Sequence, residues 1–66
     1  MQIRIVKEGL NFTPYSRSRS ADKWRRVALR FPHIDHAILW ARLEYGARVI
    51  ERTARLAILE TEALSC

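Results

Sequence analysis

Apolar and polar residues alternate at the start of the chain, from Gln2 to Lys7, with Ile3 and Ile5 on one side. A period of two is typical of a β-strand with one buried face, and β-branched residues favour that conformation. Glu8-Gly9 and then Asn11 indicate a turn. The pattern therefore predicts a first strand that ends in a turn.

A polar, cationic segment without any period follows at about 14–22, and it predicts a solvated loop. Alternation returns from Lys23 to Phe31, where Val27 and Leu29 share one face with Phe31. We interpret this segment as a second strand. Pro32 ends it, because proline cannot donate to a strand ladder and suits the first turn of a helix.

The segment from Ile34 to Tyr45 has the spacing of a helix with one buried face. Asp35 near its start and Arg42 near its end suit the helix dipole. Gly46 stands where a left-handed C-cap would fall. The residues on the predicted buried face are Ile34, Ala37, Ile38, Ala41 and Tyr45.

Two structures compete for the segment 48–58. Its alanine, arginine, glutamate and leucine residues are good helix formers, and no turn residue interrupts it. A β-branched pair directly after a glycine-terminated helix favours a strand, which is the interpretation we prefer. The strand would bury Ile50, Ala54, Leu56 and Ile58, whereas the helix would align Ile50, Ala54, Ala57 and Ile58. Residues 61–66 are predicted to be a frayed tail.

These elements predict an α+β fold, a small antiparallel sheet with one packed helix in the order β-β-α-β, the last element being a strand or a helix. The 66 residues form a single domain, and a hydrophobic content of 48% argues against disorder. Cys66 is the single cysteine, so no internal disulfide can form, which suits the cytoplasm. No apolar run approaches the roughly 18 residues that span a bilayer, so no membrane partner is expected.

Catalytic and metal-binding chemistry finds little support in the sequence. His33 and His36 would need further ligands on the same side to hold a metal, and they read as ordinary residues at a helix start. Nothing would hold a base against Cys66 on a frayed end. Glycine-rich phosphate loops and paired acids are missing from the sequence. We therefore expect a binding protein that is not an enzyme and uses no cofactor or metal.

Positive charge is concentrated in one half of the chain. Residues 1–30 hold eight basic and two acidic side chains, a net charge of +6, whereas residues 31–66 have a net charge of −1. Such asymmetry indicates a polyanion or an acidic protein surface as partner.

The segment from Arg17 to Arg30 combines arginines with Trp24, and Tyr15 lies just before it. Arginine pairs with phosphates and aromatic rings stack on bases, and Arg4 could join on the sheet face. Trp40 is either a boundary residue of the core or an anchor in a protein interface. The predicted partner-binding residues are Arg17, Arg19, Lys23, Trp24, Arg25, Arg26, Arg30 and Trp40.

The segment from Arg30 to Ala41, followed by Gly46 and Arg48-Val49-Ile50, resembles small phage-encoded proteins built from a strand, a helix with alanine and tryptophan, and a strand. Some inhibitors of host RNA polymerase have this outline, and anti-CRISPR proteins are of similar size. The resemblance covers about residues 24–58 and rests on layout. It implies occlusion of a surface on a host nucleoprotein complex, although many such inhibitors are acidic and this chain is basic, which excludes DNA mimicry. No functional residue is carried over from it.

Two functions follow from these observations. The first is a protein-binding inhibitor of a host nucleic-acid-handling complex, encoded by a phage or a mobile element. The second is a small basic regulator that binds DNA or RNA directly. An exposed sheet edge would offer a further route to a partner or to a homodimer.

Overall fold

A single antiparallel sheet with one helix across it makes up residues 1–19 and 21–61, which the computed structural model describes. Five strands in this part of the chain stand in the order β3-β2-β1-β5-β4. The elements are β1 (Gln2–Glu8), β2 (Asn11–Arg17), β3 (Arg25–Arg26), α1 (Ile34–Tyr45), β4 (Arg48–Arg52) and β5 (Leu56–Glu60). The predicted α+β class, with an antiparallel sheet and one packed helix, is confirmed, with two strands more than the predicted order contained.

The central strand β1 pairs with β2 on one side and with β5 on the other. Ile3 lies opposite Leu59, and Ile5 lies opposite Ala57. All four of these side chains are fully buried, because the helix α1 covers this face of β1, β2 and β5. Burial of this apolar surface is the main source of stability in a domain of this size.

The helix α1 begins and ends where the pattern predicts. Its buried residues are Ile34, Ala37, Ile38 and Ala41, all on the predicted face. Gly46 adopts a φ of 65°, and its N–H donates to the Arg42 carbonyl at 2.9 Å, as in a left-handed C-cap. Tyr45 was expected on the buried face but is 38% exposed, and its ring packs edge-on against Trp40 at the end of the helix.

The strand β2 was not predicted, and the predicted loop at 14–22 is shorter because residues 14–17 belong to β2. Pro14 accounts for this error, since proline usually argues against a strand. In the structure its carbonyl accepts from the Val27 N–H at 3.0 Å, so its backbone nitrogen also faces β3. The absence of an N–H group at Pro14 therefore removes no hydrogen bond from the ladder between β2 and the central strand β1.

The predicted strand from Lys23 to Phe31 is interrupted for the same reason. Because Pro14 cannot donate to Val27, the Val27 carbonyl instead accepts from the Leu29 N–H at 2.7 Å. The chain then bulges, and three residues lie opposite one residue of β2 before Phe31 pairs with Phe12. Only Arg25–Arg26 remains as regular strand β3.

The segment 48–58 is strand rather than helix, but it forms parts of two strands, β4 and β5, that pair with each other. The Thr53 hydroxyl accepts from the N–H groups of Arg55 at 3.3 Å and Leu56 at 3.1 Å, which builds a turn without glycine or proline. The turn interrupts the predicted alternation of buried and exposed side chains. As a result, Ala57 and Leu59 face the core, and Ile50 and Ala54 are exposed.

The two ends of the described chain lie together. The Thr61 N–H donates to the Met1 carbonyl at 2.9 Å, so Thr61 is held against the sheet although it was predicted to begin the frayed tail. The rest of that predicted tail, 62–66, lies outside the described residues. Within residues 1–19 and 21–61, none of the helical structure has the length and apolar character needed to cross a bilayer.

Replacing Leu59 by alanine tests the core. Leu59 is 0% exposed, whereas Leu10 in the β1–β2 turn is 90% exposed. We expect Leu59→Ala to lower the free energy of unfolding by about 2–5 kcal/mol, from lost burial and the cavity left behind. The matched variant Leu10→Ala should change it by less than about 0.5 kcal/mol. Denaturant unfolding followed by circular dichroism measures both, and equal midpoints would contradict the assigned core.

Candidate functional site

The face of the sheet that points away from α1 is the open face. Side chains alternate along a strand, so Gln2, Arg4 and Glu8 lie on the face opposite Ile3 and Ile5. The register of the ladders places further residues beside them. The residues of the open face discussed below are Gln2, Arg4, Glu8, Tyr15, Arg17, Trp24 and Arg26.

Two arginines stack on one tryptophan at the end of the open face where β1 begins. The Cζ atom of Arg17 lies 4.2 Å from the centroid of the Trp24 ring, and that of Arg4 lies 4.7 Å from it. Arg4 also lies 5.9 Å from the ring centroid of Tyr15, its cross-strand neighbour. These are cation–π distances. We call Arg4, Arg17 and Trp24 the arginine–tryptophan cluster.

Neutral groups, rather than carboxylates, hold the two arginines in place. The Arg17 Nε donates to the Gln2 side-chain oxygen at 2.7 Å, and the Gln2 amide donates to Glu60 at 3.2 Å. The Arg4 Nε is buried and has no hydrogen-bond partner in the described part of the chain. Neither arginine forms an ion pair with any described residue. The cluster thus holds two positive charges that no acidic side chain of residues 1–19 and 21–61 pairs with directly.

The other end of the open face is electrically compensated. The Tyr15 hydroxyl donates to the Glu8 carboxylate, and an Arg26 Nη atom lies 3.3 Å from the same carboxylate. The hydrogen bond from Tyr15, assisted by the charge of Arg26, lowers the pKa of Glu8. The same hydrogen bond raises the pKa of Tyr15. Positive charge is therefore available mainly at the end that carries the arginine–tryptophan cluster.

A cavity of about 470 Å³ adjoins the cluster where β2 ends, and we call it the loop pocket. The loop after β2 forms its wall and is closed by two hydrogen bonds between Arg19 and Asp22, each of 3.0 Å. The residues that line the pocket are Met1, Ser16, Arg17, Ser18, Asp22, Lys23 and Arg25. Ser16 pairs with Ile3 in β1 and with Arg25 in β3, so the side chains of Ser16 and Arg25 leave the sheet on the helix side. Arg17 stacks on Trp24 on the open face, so the pocket and the cluster meet at Arg17 but lie on opposite faces of the sheet.

The predicted partner-binding residues divide into two groups. Arg17, Lys23, Trp24 and Arg25 meet at the cluster and the loop pocket, with Arg19 exposed in the adjoining loop. The other three lie elsewhere. Arg26 pairs with Glu8, Arg30 projects from the bulge after β3, and Trp40 lies on the helix.

Trp40 is a boundary residue of the core. Its ring centroid lies 5.7 Å from that of Phe31 and 5.4 Å from that of Tyr45, and the side chain is half-buried. It packs on the helix side of the sheet, whereas Trp24 lies on the open face. The two tryptophans therefore cannot contribute to one continuous contact surface on the sheet.

Gln2, Ser16 and Ser18 were absent from the sequence-based analysis of the site, and Arg4 was left off the predicted residues. The alternation of β1 does place Gln2 and Arg4 on the face opposite Ile3 and Ile5. Their contact with Arg17 depends on the pairing of β1 with β2, and the presence of Pro14 hid that second strand. Ser16 and Ser18 join the pocket for the same reason.

The two histidines lie at the start of α1, away from the cluster. Their ring centroids are 5.2 Å apart in an edge-to-face arrangement. Among residues 1–19 and 21–61, no three histidine, cysteine, aspartate or glutamate side chains come close enough to hold a metal ion. Cys66 lies outside these residues.

Comparison of the chain with protein-family models, with curated proteins and with solved structures finds no match in any of the three. The arguments that follow therefore rest on the geometry and chemistry of the site.

Replacing Tyr15 by phenylalanine tests the compensated end of the open face. Loss of the hydroxyl removes the main cause of the lowered pKa of Glu8, so that pKa should rise in Tyr15→Phe. A carboxyl whose pKa is lowered by folding stabilises the fold above its unfolded pKa and loses this contribution as the pH falls through its folded pKa. The acid side of the stability profile should therefore become flatter in the variant.

Titration of the Glu8 side chain by NMR measures this shift. Tyr45→Phe is the matched control, because Tyr45 lies on α1 and does not contact Glu8. An unchanged pKa of Glu8 in Tyr15→Phe would show that the hydrogen bond does not form in solution. Alkaline titration gives a second check, since the same bond raises the pKa of Tyr15 in the parent protein.

Proposed function

We propose that this protein binds single-stranded DNA or RNA at the arginine–tryptophan cluster. One observation carries the proposal. The guanidinium groups of Arg4 and Arg17 are stacked on Trp24 and have no carboxylate partner in the described part of the chain, so their charges are available to an anion. Fixing these charges before the ligand arrives reduces the entropic cost of binding.

The chemistry of the cluster suits a single strand better than a duplex. Aromatic rings and guanidinium planes both stack on bases, and such stacking tolerates any base because every base has a π-face. The bases of a duplex are stacked on one another and do not offer those faces. A single strand can place a base on the cluster and its phosphates against the surrounding cations.

The charge around the cluster supports the same ligand. Arg17, Lys23 and Arg25 surround the adjoining pocket, and Arg19 lies in the loop beside it. Cations that neutralise phosphates release condensed counterions, which favours binding at low salt. The stacking surfaces of the open face thus lie close to cationic side chains of the loop and of the opposite sheet face.

Contact with a protein is a second candidate, favoured by the outer surface of α1. Leu39 and Leu43 are one helical turn apart, and they are 52% and 78% exposed. Exposed apolar side chains that adjoin each other often mark protein interfaces. The predicted inhibitor of a host nucleoprotein complex would use this surface better than Trp40, which is already packed against Phe31.

Titration of the reduced, nuclease-treated protein with labelled mixed-sequence DNA and RNA of about 12 nucleotides tests the proposal. We expect binding that weakens steeply as salt is raised, because phosphate contacts displace counterions. Trp24→Ala should weaken binding by about tenfold or more, in keeping with the loss of roughly 1–3 kcal/mol of stacking. Trp24→Phe, which keeps a ring, should lose much less.

Arg55→Ala is the matched control for charge, since Arg55 lies in the β4–β5 turn beside Lys7, at the far end of the sheet. Its affinity should stay close to that of the parent protein. Circular dichroism would confirm that each variant is folded. If neither DNA nor RNA binds at low salt, or if salt does not change the affinity, the proposal is overturned and the protein contact is the remaining candidate.

A further inference from the structure

We infer that Tyr15 is a second stacking surface beside the arginine–tryptophan cluster, so that the open face holds two neighbouring bases of one nucleic-acid strand. This inference rests on the proposed function and adds to it the number of bases that the site takes. It is carried by the fixed position of the Tyr15 ring, by the place of Arg4 between two aromatic rings and by the distribution of charge on the open face.

The Tyr15 ring is held along the open face of the sheet. Asn11, Thr13 and Tyr15 follow one another on this face of β2, because side chains alternate along a strand. The Tyr15 hydroxyl donates to Glu8, which is the ladder partner of Asn11, so the ring extends over Thr13. Thr13 is accordingly 1% exposed, although the helix α1 covers the other face of the sheet.

A ring that is held in this way is prepared for stacking. Tyr15 and Trp24 are both half-buried, so each keeps part of its surface open to a ligand. A side chain that is already ordered loses little conformational entropy when a ligand binds. Stacking on an aromatic ring also accepts any base. The open face therefore offers two ordered aromatic rings on neighbouring segments.

Arg4 lies between the two rings. Its Cζ atom is 4.7 Å from the ring centroid of Trp24 and 5.9 Å from that of Tyr15. The two centroids are therefore no farther apart than the sum of these distances, which neighbouring nucleotides can span when their bases are unstacked. Arg4 forms no ion pair with any described residue. Its guanidinium group is thus placed to meet the phosphate that links the two bases.

The charges of the open face favour the same arrangement. Tyr15 points toward the compensated end, where the Glu8 carboxylate lies 3.3 Å from an Arg26 Nη atom. An uncharged base suits that end, since a phosphate there would approach Glu8. A base on Tyr15, with its phosphate at Arg4, keeps the negative charge of the strand on the cationic side.

A dinucleotide of the nucleic acid that binds better, together with two ligands in which one base is replaced by an abasic sugar, tests the inference. All three carry the same phosphate charge, so differences in affinity report contacts of the bases. NMR titration at low salt should show that each abasic ligand binds about tenfold more weakly than the dinucleotide. Tyr15→Leu should weaken the dinucleotide by a similar factor and leave the affinity for one abasic ligand unchanged, because that ligand lacks the base that stacks on Tyr15.

Tyr45→Leu is the matched control, since it removes a tyrosine ring from α1, which covers the other face of the sheet. It should leave all three affinities unchanged. Tyr15→Phe keeps the ring and should lose much less affinity than Tyr15→Leu. Circular dichroism would confirm that each variant is folded.

The parent protein provides a measurement that does not depend on any variant. A base stacked on Tyr15 should shift the NMR signals of its ring protons upfield when the dinucleotide is added, through the ring current of the base. The ring signals of Tyr45 should stay in place.

Each contrary outcome has a distinct meaning. If Trp24→Ala weakens binding of the longer oligonucleotides and Tyr15→Leu does not, the second stacking surface is overturned and nucleic-acid binding stands. Unshifted Tyr15 signals, or equal losses of affinity in Tyr15→Leu and Tyr45→Leu, would overturn it as well. If neither DNA nor RNA binds at low salt, the proposed function fails, and the inference fails with it.

Discussion

The pairing of β1 with strands on both of its sides is the constraint on which the rest of the structure depends. Because side chains alternate along a strand, one face of β1 buries Ile3 and Ile5 under the helix, and the other presents Gln2 and Arg4. The core and the candidate site are therefore two faces of one strand. A shift of register by one residue would exchange them and destroy both.

The candidate site is cationic because, in the part of the chain that the structure describes, its arginines contact rings and an amide and not carboxylates. At the Glu8 end of the open face, Arg26 is paired and the surface is compensated. At the other end, Arg4 and Arg17 stack on Trp24 and keep their charges available. This polarity along one sheet face leaves the positive charge of the open face mainly at the cluster.

Two local features explain why strand β2 and the β4–β5 turn were not predicted. Pro14 argues against a strand, yet its nitrogen faces the interrupted β3 ladder, so β2 forms and Pro14 is fully buried within it. The Thr53 hydroxyl holds the β4–β5 turn. This turn contains neither glycine nor proline, so no typical turn residue indicated it. The helix from Ile34 to Tyr45 and its Gly46 cap were predicted correctly, because a local period and a local cap determine them.

The sequence by itself determined the α+β class, β1, the helix and the concentration of positive charge in residues 1–30, since all of these depend on local periodicity or composition. Only the tertiary structure decided which of those cations meet. Arg4, Arg17 and Trp24 come together through pairing between strands that are distant in sequence, whereas Arg26, Arg30 and Trp40 lie apart from them. Contacts of that kind follow from register, which a pattern of alternating residues leaves undetermined.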